Sequence, residues 1–231
     1  MLARRRMWGW AAIWATLAIN SATAAPVSVT WTTTGNAGNE TSVTATVTGA
    51  NVSAIPLTRG AGLGPNAGTN SFNSNGWTGE ATDYVQFGIS IDPGFQATLN
   101  TVSFSRQASS TGPGTMGLFS SLDNFTTAIT TFSSGTSAAS ISIPLSSLGT
   151  VTGDVTLRLF AIGTTSASGG TTAAGGTFRV INPTLTGEVS VIPQAPAHET
   201  APEPTTMWTL AVLGVFALVF RLRRRWVPCV A

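Results

Sequence analysis

Between residues 25 and 200, apolar and polar positions alternate in short runs, and no long stretch repeats its apolar residues every three to four positions. A period of two marks a strand with one buried face, because successive side chains point to opposite sides. Tyr84–Ile91 sets Val85, Phe87, Ile89 and Ile91 on one face. Val155–Ile162 turns Val155, Leu157, Leu159 and Ala161 one way, and Thr156, Arg158, Phe160 and Ile162 the other. Leu99–Arg106 points Val102 and Phe104 inward, and Thr41–Thr48 aligns Val43, Ala45 and Val47. Phe178–Ile181 and Leu185–Val191 supply the last strands, and Val27–Thr32, Met116–Phe119, Ile129–Phe132 and Ser140–Ile143 are shorter candidates. About eight to ten short strands broken by Gly, Pro and Asn predict one all-β domain, a jelly-roll-like β-sandwich over residues 25–191.

The two ends read differently. Residues 1–24 place Arg4-Arg5-Arg6 before an apolar run from Met7 to Ile19, then the small-x-small pattern Ala22-Thr23-Ala24. This is the layout of a secretory signal peptide, with cleavage after Ala24 or Ala25; an uncleaved anchor is the alternative. Residues 192–204 form a Pro-rich linker that neither strand nor helix can continue, and it ends in Pro202-Glu203-Pro204. Met207–Phe220 then runs without a charge up to Arg221, Arg223, Arg224 and Arg225. At ~1.5 Å per residue these about 14 residues span roughly 21 Å, so segment 205–225 crosses a ~30 Å core by recruiting its flanks and snorkelling its Arg side chains. Trp208 and Trp226 stand where interfacial aromatics belong, and both Arg clusters stay cytoplasmic, with tail 226–231 inside and the body outside.

In this order, Pro202-Glu203-Pro204, the apolar segment and the Arg cluster resemble the PEP-CTERM sorting signal of Gram-negative bacteria, a motif also labelled after an ice-binding protein. The resemblance covers about the last thirty residues. It implies a partner, an exosortase, which cuts near Pro-Glu-Pro and releases or transfers the mature protein. Export is then linked to extracellular polysaccharide or biofilm matrix, with the chain transiently membrane-anchored before it reaches the cell surface or medium. A permanent single-span anchor is the alternative. The body is similar to those of exported PEP-CTERM proteins through Tyr84-Val85-Gln86-Phe87, Leu99–Arg106, Thr111-Gly112-Pro113, Ser120–Phe125, Val155–Ile162 and Gly176–Val180. Related bodies place an acid after the Phe-Arg-Val strand as a calcium ligand; this chain has Ile181-Asn182-Pro183 there.

Charge narrows the functional classes. The chain has 11 basic residues, all Arg, against 9 acids. Seven of the Arg belong to the two terminal clusters, so residues 25–200 carry four Arg against eight acids, a net charge of −4. A nucleic-acid partner is excluded, because phosphate binding needs a basic face. One Cys, Cys229, and one His, His198, exclude a disulfide framework and multi-His metal sites, and no metal or cofactor is expected.

Catalytic chemistry has few candidates. His198 lies in the linker, away from the rigid support that a catalytic group needs. Glu80 and Asp83, in Gly79-Glu80-Ala81-Thr82-Asp83, are candidate calcium ligands or a hydrolase pair. Asp92, Asp123 and Asp154 suit turns. The candidate carbohydrate-binding residues are Trp77, in the loop-like run Asn73-Ser74-Asn75-Gly76-Trp77, and Tyr84; core packing is the alternative for Trp77 and Trp31. Thr44, Thr46 and Thr48 read as solvent-facing, since no fixed period marks a regular array. The expectation is an exported, non-enzymatic structural or adhesive protein. A carbohydrate-binding module is the alternative, and a glycan hydrolase ranks third.

Overall fold

The computed structural model describes residues 23–194. The expected signal and sorting residues Ala22, Pro202, Glu203, Pro204, Arg221, Arg223, Arg224 and Arg225, together with His198 and Cys229, lie outside the described residues. The strands are β1 (Ala25–Thr30), β2 (Ser42–Val43), β3 (Thr46–Thr48), β4 (Val52–Arg59), β5 (Gly64–Pro65), β6 (Phe72–Asn75) and β7 (Tyr84–Ile91). They continue with β8 (Phe95–Ala108), β9 (Thr115–Ser120), β10 (Ala128–Ser133), β11 (Ala139–Pro144), β12 (Thr150–Val151), β13 (Asp154–Ala161) and β14 (Phe178–Val191). Two single 3₁₀ turns, Ser121–Asp123 and Ser146–Leu148, are the only helical pieces among the described residues.

All pairings between these strands are antiparallel, and they form two sheets, as a β-sandwich requires. One sheet has the order β11-β8-β14-β1-β3, with β12 on β8, β6 on β14 and β5 on β6; the other is β10-β9-β13-β7-β4-β2. The pairings nest: β9 with β10, β8 with β11, β7 with β13, and β1 with β14. A long ribbon folded in half and wrapped across both layers gives this order. The inward residues meet between the layers. Val85, Phe87, Ile89, Leu157 and Leu159 come from one sheet, and Val29, Leu99, Val102, Val180 and Leu185 from the other, all fully buried.

Three departures from the alternation pattern have physical causes. The run Thr41–Thr48 is not one strand: Ser42–Val43 closes the edge of one sheet on β4, and Thr46–Thr48 closes the edge of the other on β1. Phe178–Ile181 and Leu185–Val191 are one strand, because a bulge between Ile181 and Thr184 absorbs Asn182 (φ 46°) and the N–H missing from Pro183. β4 shows no clean alternation because Pro56 sits in a register shift between Ile55 and Thr58.

β1 starts beside the end of β14, with Ala25 opposite Val189. The Ile192 N–H donates to Gly94 O (2.9 Å) at the β7–β8 turn. Both chain ends therefore leave the sandwich at the same end. β7 runs toward that end, so Tyr84 and its cross-strand partner Phe160 lie toward the opposite one.

Candidate functional site

The two Trp residues considered for ligand contact are core residues. Trp31 is fully buried; its Nε1–H donates to Ile55 O (3.0 Å) and its ring meets Phe87 edge-on at 5.0 Å. Trp77 is 2% exposed. Its Nε1–H donates to Ser74 O (3.0 Å), and its ring packs edge-to-face on Phe178 at 5.8 Å. The expectation of a sugar-stacking Trp77 is therefore corrected, since no ring face is open. The polar run before it, which reads as a loop, is strand β6, with Phe72, Asn73 and Ser74 buried against β14.

Ala67 O accepts the Asn73 side-chain N–H (2.8 Å), and the rest of this polar strand is served by Arg59. Its guanidinium lies 3.7 Å from the centre of the Phe72 ring, and its Nε–H donates to Ser74 Oγ (2.9 Å). Its terminal N–H groups donate to the carbonyls of Gly38 (2.9 Å), Asn73 (2.6 Å) and Glu40. Burial pushes the Arg59 pKa down to about 10, opposed by the negative charge of Glu40, so the group stays charged at neutral pH. One cation adds a donor to three backbone carbonyls, two in the loop after β1 and one on β6.

Glu80 and Asp83 do not form a paired-carboxylate site. Asp83 is buried, and its Oδ2 accepts the Thr78 N–H (2.9 Å), the Thr78 hydroxyl (2.7 Å) and the Glu80 N–H (3.0 Å). Glu80 meets Asp83 through its backbone, and its side chain is exposed. Burial alone raises the Asp83 pKa; the hydrogen bonds from the Thr78 hydroxyl and the Glu80, Thr78 and Gly79 N–H groups outweigh it and hold the carboxyl below the usual range. Asp83 closes its own loop. No group of three or more His, Cys, Asp or Glu is placed to hold a metal among the described residues. Asn182, at the position where the resemblance implied an absent calcium ligand, accepts the Thr33 N–H (2.8 Å) and exchanges hydrogen bonds with Thr34.

The outward faces of the two sheets differ in chemistry. On the β11-β8-β14-β1-β3 sheet, cross-strand register aligns Thr46, Thr30, Thr184, Ser103 and Ser142 in one row, and Thr48, Ser28, Thr186 and Thr101 in the next. Several of these hydroxyls bond each other, as in Thr30–Thr184 (3.1 Å) and Thr101–Thr186 (2.9 Å). No sequence period marks these rows, because they run across strands far apart in the chain.

The other outward face carries rings around one cation. Phe160 lies opposite Tyr84 on one side and Gly117 on the other. Its ring contacts Phe119 edge-to-face at 5.3 Å and Tyr84 at 5.6 Å. Gly117 leaves room for this packing: a Cβ there would sit 2.7 Å from the Phe119 ring and 3.1 Å from Ile162 Cδ1. The Arg158 guanidinium is held between Tyr84 (3.9 Å) and Phe125 (4.0 Å), and its Nε–H donates to Gln86 Oε1 (3.1 Å). That is its one side-chain hydrogen bond among the described residues. Phe125 reaches it from a left-handed backbone (φ 59°), directly after Asn124 (φ 57°), a conformation that costs a bulky residue about 1–3 kcal/mol. The turn that carries Phe125 also walls a cleft of about 350 Å³, with Leu122, Asp123, Thr127, Ile129 and Leu148 in its lining.

Tyr84 is therefore half-buried at the surface, with one face of its ring capped by a cation rather than bare. Nothing local in the sequence marks its neighbours Arg158, Phe119, Phe125 and Phe160 as site residues. The outward phase of Arg158 and Phe160 in Val155–Ile162 was visible, but their meeting with Tyr84 and Phe119 depends on pairing across three strands. Comparison of the chain with protein-family models, curated proteins and solved structures finds no match.

Proposed function

We propose that this chain is an exported, exosortase-processed protein of the cell envelope or extracellular matrix with a non-enzymatic structural or adhesive role. The observation that carries the reading is the arrangement of the ends: β1 and β14 pair side by side, so the segments bearing the two export signals leave one end of the domain. The nested pairing of β1–β14, β7–β13, β8–β11 and β9–β10 supports a jelly roll as the form of the sandwich. A second reading, carbohydrate recognition, is favoured by the rings and cation on the β7-β13-β9 face.

Intact-mass measurement of the exported form tests the first reading. The expected mature chain begins at Ala25 or Pro26 and ends near Pro202–Pro204. Alanine at Pro202, Glu203 and Pro204 should retain the C-terminal segment in the product. An unchanged mature mass and location in that variant would refute the sorting role.

A further inference from the structure

We infer that Arg158 is a preorganised receptor for the carboxylates of an acidic polysaccharide, one that contains uronic acid residues. The inference rests on the carbohydrate reading and adds its substrate class and recognition residue.

Three features carry it. First, the guanidinium is fixed: its Cζ lies over the Tyr84 ring at 3.9 Å and over the Phe125 ring at 4.0 Å, and Gln86 Oε1 holds Nε–H at 3.1 Å. A cation packed on two rings and bonded at Nε loses little further freedom on binding. Second, its terminal N–H groups, the fork that matches a carboxylate with two parallel hydrogen bonds, bond no side chain among the described residues. Arg59 is the contrast, since its terminal groups are used up on backbone carbonyls. Third, half-buried Phe119, the cross-strand neighbour of Arg158, lies on the same outward face with half-buried Phe160 and 38%-exposed Ile162. A uronate ring offers what this surface lacks: an apolar C–H face for the rings and an anion for the fork.

An acidic peptide supplies the anion without the flat apolar ring face, so the aromatic flank favours sugar. The local positive charge stands out because the body as a whole is acidic. The strained backbone of Phe125 fits the same role, since its ring is the second one packed on the guanidinium.

The test uses the full chain in detergent micelles and measures binding to polygalacturonate, to fully methyl-esterified polygalacturonate and to polyglutamate. Polygalacturonate should bind, more weakly as salt rises, and the esterified polymer, with the same backbone and no anion, should bind at least about tenfold more weakly. Arg158→Met should lose about tenfold or more in affinity for polygalacturonate. Arg158→Lys, which keeps the charge but not the fork, should also weaken binding. Free galacturonate should compete with polymer on the unaltered protein and free galactose should not, a readout independent of how the variants fold. Equal binding of the acidic and esterified polymers, with Arg158→Met unchanged, overturns the inference and leaves carbohydrate recognition standing. No binding to either polymer overturns both. Polyglutamate binding as tight as polygalacturonate overturns the sugar assignment.

Discussion

Replacing Trp77 with Ala separates a core residue from a ligand platform. The side chain is 2% exposed, so its removal takes nearly a whole indole out of the interior. A buried Trp covers up to about 250 Å², which at ~25 cal/mol per Å² is roughly 6 kcal/mol as an upper bound. The deletion also breaks the 5.8 Å contact with Phe178 and leaves Ser74 O without the indole N–H. Partial collapse of the site brings the expected loss to about 3–5 kcal/mol. For a domain of this size, each kcal/mol moves the midpoint about 2–4 °C, so Tm should fall by about 6–20 °C. The assay is thermal unfolding followed by circular dichroism, with polysaccharide binding measured well below the variant's midpoint. A Tm shift under about 2 °C together with lost binding would falsify the core assignment and return Trp77 to the ligand surface.

Arg59→Met keeps the packing on Phe72 but removes the donors to Gly38, Asn73, Glu40 and Ser74, and should cost about 2–4 kcal/mol in denaturant unfolding. Asp83 is held below its ordinary pKa of 3.8 in the fold, so its contribution is complete above that value and disappears as pH falls through the lower folded value. Asp83→Asn should therefore lower stability at neutral pH and flatten the acid limb of the stability curve below about pH 4. An unaltered acid limb would show that another carboxyl controls it. Asn182→Ala removes the anchor of Thr33 and Thr34 and should cost about 1–2 kcal/mol, with faster amide exchange at Thr33.

Much of the sandwich was legible before the structure because alternation is local. Tyr84–Ile91 reads as a strand from its own residues, and its buried and outward faces follow at once. The strands left unread are those whose burial is not local. β6 is Phe-Asn-Ser-Asn, and partners outside the strand make that polarity compatible with the interior: Arg59, carried on β4, for Ser74 Oγ and Asn73 O, and Ala67 O for the Asn73 amide. β4 hides its pattern behind a bulge at Pro56. Trp77 reads as a loop aromatic because the residues before it are polar, and it is buried because β6 is paired on both sides, by β5 and by β14.

The sequence by itself determined an all-β body, most of its strands and which side chains of each strand face inward, because a pleated strand expresses its environment residue by residue. Tertiary structure alone decided that the halves of Thr41–Thr48 close different sheets, that hydroxyls line one outward face, and that Tyr84 and Phe125 pack on Arg158 on the other, with Phe160 against Tyr84. Those outcomes depend on which strands become neighbours, and strand pairing is set by contacts between residues far apart in the chain, to which no local period is sensitive.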